Sequence, residues 1–126
     1  MPDLLLDTHV VLWWLDDPTL IAVEARDHIA DGNTEIFVSS AVGWEISIKS
    51  ALGKLRAPDD FEAAILSAGF RELPITMRHA MGVRDLPDHH HDPFDRIQIS
   101  QALIVGLTLV TRDTNIRRYD VSALMA

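Results

Sequence analysis

Cysteine is absent from the 126-residue chain, so disulfide staples and thiolate metal ligands are excluded and a reducing compartment fits. Long apolar runs are absent as well. None approaches the roughly 20 residues of a membrane-spanning helix, and no basic stretch precedes the apolar N-terminal run as it does in a secretory leader. The expected setting is the cytoplasm, with no membrane contact. Linkers, internal repeats and low-complexity tracts are missing too, which makes one domain over residues 1–126 the most economical organisation. Positive charge is scarce: 11 Lys and Arg face 19 Asp and Glu, a net charge of −8. Taken as a total, that sign opposes a partner as anionic as nucleic acid. Distribution matters more, because acids gathered in one pocket can hold divalent cations while bases on its rim meet phosphate.

What is plentiful is apolar: 48% of the chain is hydrophobic, enough for a core in a domain of this size. Short β-rich apolar runs at 4–7, 35–39, 71–75 and 107–111 read as strands, the third the weakest. Helical patterns lie between them at 8–15, 20–30, 41–52, 59–68, 76–83 and 94–105. Ser39 and Ser40 are candidate caps for the third helix and Asp92 for the last, with Pro93 at its first position; Gly53 and Gly106 are plausible stops. Alternation of this kind predicts an α/β domain with a mostly parallel central sheet and helices on both faces.

In such sheets the ligand crevice lies beyond the carboxyl ends of the strands. Asp7 ends the first predicted strand and Thr111-Arg112-Asp113 ends the fourth, so two acids from distant segments are placed to face one crevice. Each could equally be the cap of the helix that follows. Glu45 falls in the first turn or so of its helix, where a capping arrangement would account for it. Asp95, three residues beyond the Asp92 cap, is poorly explained by capping and is expected to point back toward the strand ends.

LLLDTHVVLWWLDDP, SSAVGWEISIKSALGKL, LPITMRHAMGVRDLPDHHHDPFDRIQISQAL and LTLVTRD, in that order, resemble the PIN-domain proteins, specifically the VapC-like ribonuclease toxins of toxin–antitoxin pairs. The resemblance spans nearly the whole chain. It implies a three-layer α/β/α domain, metal-dependent RNA cleavage, a homodimer, and a cognate VapB-like antitoxin whose C-terminal segment blocks the site. Position by position, Asp7, Glu45, Asp95 and Asp113 fall on the family's acidic quartet, Thr8 on the residue beside the first acid, and Arg96 on the arginine after the third. The chain departs from the pattern at Val42-Gly43, where a Ser-Leu pair is usual, and at Ile21-Ala22, where a helix-capping serine is expected.

The chemistry of such a quartet agrees. Two carboxylates about 4 Å apart repel by roughly 4 kcal/mol at an effective dielectric near 20, so four together need cations or must protonate. Magnesium or manganese suits all-oxygen ligation and leaves coordination positions for a phosphate oxygen and water. Asp7, Asp95 and Asp113 are assigned mainly to the metal, Glu45 either to the metal or to orienting water, and the Thr8 hydroxyl to a ligand or phosphate. Arg96, Lys49 and Arg112 are the bases expected to meet RNA, with Lys49 also able to form an ordinary helix pair with Glu45. Lys54, Arg56, Arg117 and Arg118 are more distant candidates. Trp13 and Trp14 point about 100° apart on a helix, so one of them is expected to serve a partner, a dimer mate or an antitoxin, unless both are partly buried in the core.

Six histidines allow a competing chemistry, metal-free cleavage through the 2′-hydroxyl, or zinc binding. His89-His90-His91 in PDHHHDP reads as a solvated loop, His9 as packing or hydrogen bonding, and His28 and His79 as structural or exposed. Two other functions stay open: a catalytically silent PIN-like binding module whose acids hold a structural cation or a partner's arginine, and a phosphoryl-transfer domain with an aspartate nucleophile. The latter fits poorly, since DTH lacks a second nearby acid.

Overall fold

Leu4, Leu5 and Leu6 form β1 (Leu4–Leu6), and all three are fully buried. A strand buried on both faces needs neighbours on both edges and helices above and below. The computed structural model, which describes residues 3–126, supplies them. On one side β1 pairs with β2 (Ile36–Ser39), and β2 with β3 (Arg71–Leu73); on the other it pairs with β4 (Thr108–Thr111), and β4 with β5 (Ala123–Met125). Every pairing is parallel, with Leu4 opposite Ile36 and Thr108. The order β3-β2-β1-β4-β5 puts β1 at the centre.

Alternate residues divide the core. Leu4, Leu6, Val38 and Val110 join a cluster covered by α1 (Thr8–Asp16), α2 (Val23–Ala30), α3 (Ser40–Ala51) and α4 (Phe61–Ser67). Leu5 and Leu109 face the other way, onto Ile99 and Ala102 of α6 (Pro93–Val105), against which α5 (Met77–Gly82) packs. The result is the three-layer α/β/α domain that the alternation implies.

Local chemistry explains most helix ends. Ser39 caps α3 by accepting from Ala41 N at 3.0 Å, Asp92 caps α6, and Gly106 ends α6 at φ 85°, where a side chain would be strained. The helix expected over 20–30 is divided. Asp17 accepts from Thr19 N and starts a 3₁₀ turn at Pro18–Leu20, Ile21 is extended and buried, and α2 begins only at Val23. Ala22, its N-cap, offers no side-chain acceptor. β5 has no counterpart among the expected strands: it is a three-residue edge strand whose Ala-Leu-Met composition carries no β signal.

This topology positions the site. From β1 the chain moves outward through β2 to β3, then returns across the sheet to β4 on the far side of β1. The direction of winding reverses between β1 and β4, and crevices open beyond the carboxyl ends of strands at such a point.

Candidate active site

Asp7 follows β1 at this switch point and Asp113 lies two residues beyond β4. Glu45 comes from α3 and Asp95 from the first turn of α6. All four line one cleft of about 230 Å³, together with Thr8, His9, Trp13, Lys49, Asp92 and Arg112. A larger groove, about 580 Å³ and lined by Leu12, Leu15, Leu55 and Arg56, adjoins it through His9 and Trp13. The smaller cleft holds the concentration of charge.

The Asp7 carboxylate has two roles at once. Oδ1 accepts from Val10 N at 3.0 Å, the capping bond, while Oδ2 accepts from Thr111 Oγ1 at 2.5 Å. Thr111 Oγ1 also accepts the Asp113 amide at 3.0 Å, so one hydroxyl ties together the acids that follow β1 and β4. Asp113 in turn accepts from Asn115 N at 2.9 Å. Burial pushes the Asp7 carboxyl above its ordinary range, and the Glu45 charge adds to this; the Thr111 and Val10 bonds and His9 oppose it.

Glu45 is 5% exposed and sits in the middle of α3, which begins at Ser40. The capping explanation for it is therefore excluded, since Ser39 alone fills that position. Its Oε1 accepts from Thr8 Oγ1 at 2.5 Å and its Oε2 is ion-paired with Lys49 Nζ. The Thr8 hydroxyl, expected to meet a ligand or phosphate, donates to the candidate ligand Glu45 and orients it. Lys49 has its pKa raised chiefly by this bond, with Asp92 and Asp95 contributing further. It forms the ordinary helix pair and lines the cleft as well.

Asp95 is perturbed in the same direction as Asp7. Burial first, then the charges of Asp92, Asp7, Asp113 and Glu45, push its carboxyl up to about 7. A buried carboxyl raised by its acidic neighbours is one whose charged form a bound cation would favour.

One expectation needs correction and two are refined. Arg96 does not line the cleft: its guanidinium donates to the carbonyls of Pro87 at 2.9 Å, Val83 at 3.2 Å and His90 at 3.3 Å, and to the Tyr119 hydroxyl at 3.1 Å. A guanidinium satisfied by four fixed acceptors fastens the segment leading into α6 and has little left for phosphate. Arg112 does line the cleft, but it is held by the carbonyls of Ala126 and Leu20 and lies over the Trp13 ring at 4.1 Å. The tryptophans of α1 are both half-buried against the core, Trp14 packing on Phe70 at 6.2 Å. The exposed one is Trp44, 59% accessible and edge-on to Phe94 at 5.1 Å.

His90 is the residue that sequence reasoning missed. The solvated-loop expectation suits His91, whose side chain is 88% exposed, but His90 turns inward. Its Nδ1 lies 2.7 Å from the Tyr119 hydroxyl and its Nε2 3.5 Å from Asp95 Oδ2. Donor atoms of His90, Asp95 and Asp113 all fall within 4.8 Å of one another, and the buried Nε2 has no hydrogen-bond partner. An orphaned nitrogen beside two carboxylates fits a divalent cation. Nothing in PDHHHDP distinguishes the middle histidine, because its placement depends on Tyr119 and Arg96.

No helix among the described residues is long and apolar enough to cross a membrane. The fold is shared with solved toxin–antitoxin structures. One is VapBC2 from Rickettsia felis bound to a DNA fragment from its promoter (TM-score 0.71, 14% identity, 97% of each chain covered). A second is DNA-bound VapBC from Salmonella typhimurium (TM-score 0.71, 16% identity, covering 99% of this chain and 98% of that one). FitAcB from Neisseria gonorrhoeae is a third (TM-score 0.68, 24% identity, 96% of each). No curated protein sequence matches the chain. The PIN domain family model matches residues 4–122, and with β1, the switch-point cleft and its acids all inside that span, the chain belongs to the PIN domain family.

Proposed function

We propose that the protein is a magnesium- or manganese-dependent endoribonuclease, the toxin of a toxin–antitoxin pair. The observation that carries this reading is the convergence of Asp7, Glu45, Asp95 and Asp113 on one cleft with the Asp95 carboxyl held up to about 7. The likeness to VapBC-5 of Mycobacterium tuberculosis, a member of the VapBC family of toxin–antitoxin systems, supports the toxin assignment (TM-score 0.56, 17% identity).

Asp7, Asp95 and Asp113 would hold the cation, with Glu45 beside them. Bound there, it would neutralise the carboxylates, polarise the phosphoryl group and lower the pKa of water. Thr8 and Lys49 fix the two oxygens of Glu45, so the carboxylate keeps one orientation toward the cleft and can accept a proton from an attacking water. Thr111 holds Asp7 and Asp113 in register. Lys49 and Arg112 are the positive charges of the cleft, placed to meet a phosphate.

The antitoxin is read as presenting an arginine or lysine to these acids, since a guanidinium can replace the cation's charge in bidentate geometry. A homodimer in the cytoplasm completes the reading, with the exposed Trp44 and Ile48 on α3 and Leu52 just past its end as apolar surface for a partner. The test is RNA cleavage by purified protein with manganese, with EDTA, and by Asp95→Asn. Activity that needs the metal and is lost in the variant is expected; EDTA-resistant activity would overturn the assignment.

A further inference from the structure

The His90 imidazole lies outside the acidic quartet, and neither the fold nor the acids account for it. Its side chain is 14% exposed, and Nε2 is completely buried, lacks a hydrogen-bond partner and faces Asp95 at 3.5 Å, beyond good hydrogen-bond range. The opposite nitrogen lies 2.7 Å from the Tyr119 hydroxyl. That hydroxyl itself accepts from Arg96 Nη1, and another Arg96 bond reaches the His90 carbonyl. The ring is therefore anchored on one edge and unpartnered on the other.

Metal-bound histidines have this arrangement. One ring nitrogen ligates while the other donates its N–H to an oxygen that fixes tautomer and orientation. Tyr119 Oη can accept from Nδ1–H, which leaves the Nε2 lone pair aimed at Asp95 and Asp113. The three donor atoms lie within 4.8 Å of one another, and ligands about 2.1 Å from an ion are roughly 3–4 Å apart, so a small closure brings them onto one ion.

We infer that His90 Nε2 is a nitrogen ligand of the cation held by Asp95 and Asp113, with Tyr119 and Arg96 as its positioning residues. This rests on the metal-dependent reading above. It changes the ligand chemistry from all oxygen to mixed nitrogen and oxygen, which moves the preference away from magnesium toward first-row transition ions. It also gives Arg96 a role: beyond fastening the chain, it sets the edge-on geometry of the His90–Tyr119 pair, whose rings meet at 5.4 Å and 64°. The alternative is that His90, when protonated, is only a counter-ion for Asp95.

The experiment uses the full chain loaded with Mn²⁺ and reads nitrogen coupling by pulsed electron paramagnetic resonance, alongside calorimetric titration with Mn²⁺ and Mg²⁺. Imidazole ¹⁴N coupling is expected in the parent and in His9→Gln, and its loss in His90→Gln. The same substitution should weaken Mn²⁺ by about tenfold or more and Mg²⁺ by less than about threefold. Tyr119→Phe, which keeps the packing, should retain binding but alter the coupling. Coupling unchanged in His90→Gln, or no ¹⁴N coupling in a parent that binds Mn²⁺, would overturn the inference and leave the acidic site standing. A folded parent that binds neither ion would overturn both.

Discussion

Replacing Asp95 by Asn should stabilise the metal-free protein, in a strongly pH-dependent way. The carboxyl has an ordinary value of 3.8 and is pushed up to about 7 in the fold, first by burial and then by Asp92, Asp7, Asp113 and Glu45. A folded value above the unfolded one means that the native state binds the proton more tightly. Below pH 4 both states are protonated and the carboxyl costs nothing. Between 4 and 7 the unfolded state ionises freely while the native state resists, and stability falls; above 7 the whole cost is present. At about 1.36 kcal/mol per pH unit the ceiling is roughly 4 kcal/mol. The side chain keeps 26% of its exposure, so solvent screening brings the expected value to about 2–3 kcal/mol. For a domain of this size that is a rise in Tm of roughly 6–12 °C. Thermal melts of parent and Asp95→Asn in EDTA at pH 8 and pH 5 measure it. The variant should melt higher at pH 8 and by less than half that margin at pH 5, and saturating manganese should raise the parent more than the variant. A variant that melts at or below the parent at pH 8, or a difference that ignores pH, would refute the crowded-carboxylate account.

Thr8→Val keeps the shape but leaves a buried Glu45 oxygen without its donor; a loss of about 1–3 kcal/mol by chemical denaturation and a tenfold or greater fall in cleavage are expected. Arg96→Ala removes four hydrogen bonds and should destabilise by about 2–4 kcal/mol without changing the salt dependence of RNA binding, whereas Lys49→Met should reduce that salt slope. A peptide carrying the antitoxin's arginine should bind less tightly when manganese is present, and Asp95→Asn should bind it more weakly than the parent; equal binding in all arms, read by calorimetry, would contradict the cleft as its target.

The sequence made legible whatever depends on period and punctuation. LLL buried on both faces implies a central parallel strand, and it is one; Asp92-Pro93 marks the start of α6, and Gly106 its end. Asp7 and Asp113 can be brought to one crevice by topology alone, because both follow strands that flank the switch point. What was not legible depends on contacts between distant segments. Arg96 reads as a surface base until Val83, Pro87 and Tyr119 close around it. His90 is indistinguishable from His89 and His91 without Tyr119, 29 residues away. The partner of the Thr8 hydroxyl is not readable until Glu45, 37 residues on, is brought up to accept its hydrogen bond. β5 is carried by pairing with β4, since its own residues have no strand preference.

The most direct test of the central claim is the chemistry of the cut RNA ends. Incubation of a defined RNA with the purified protein and manganese should yield 5′-phosphate and 3′-hydroxyl termini, with no cleavage in EDTA, because water activated at the carboxylate cluster displaces the 3′-oxygen. Cyclic phosphate ends formed in the presence of EDTA would show that histidines act through the 2′-hydroxyl instead, and would contradict a metal site built from Asp7, Glu45, Asp95 and Asp113.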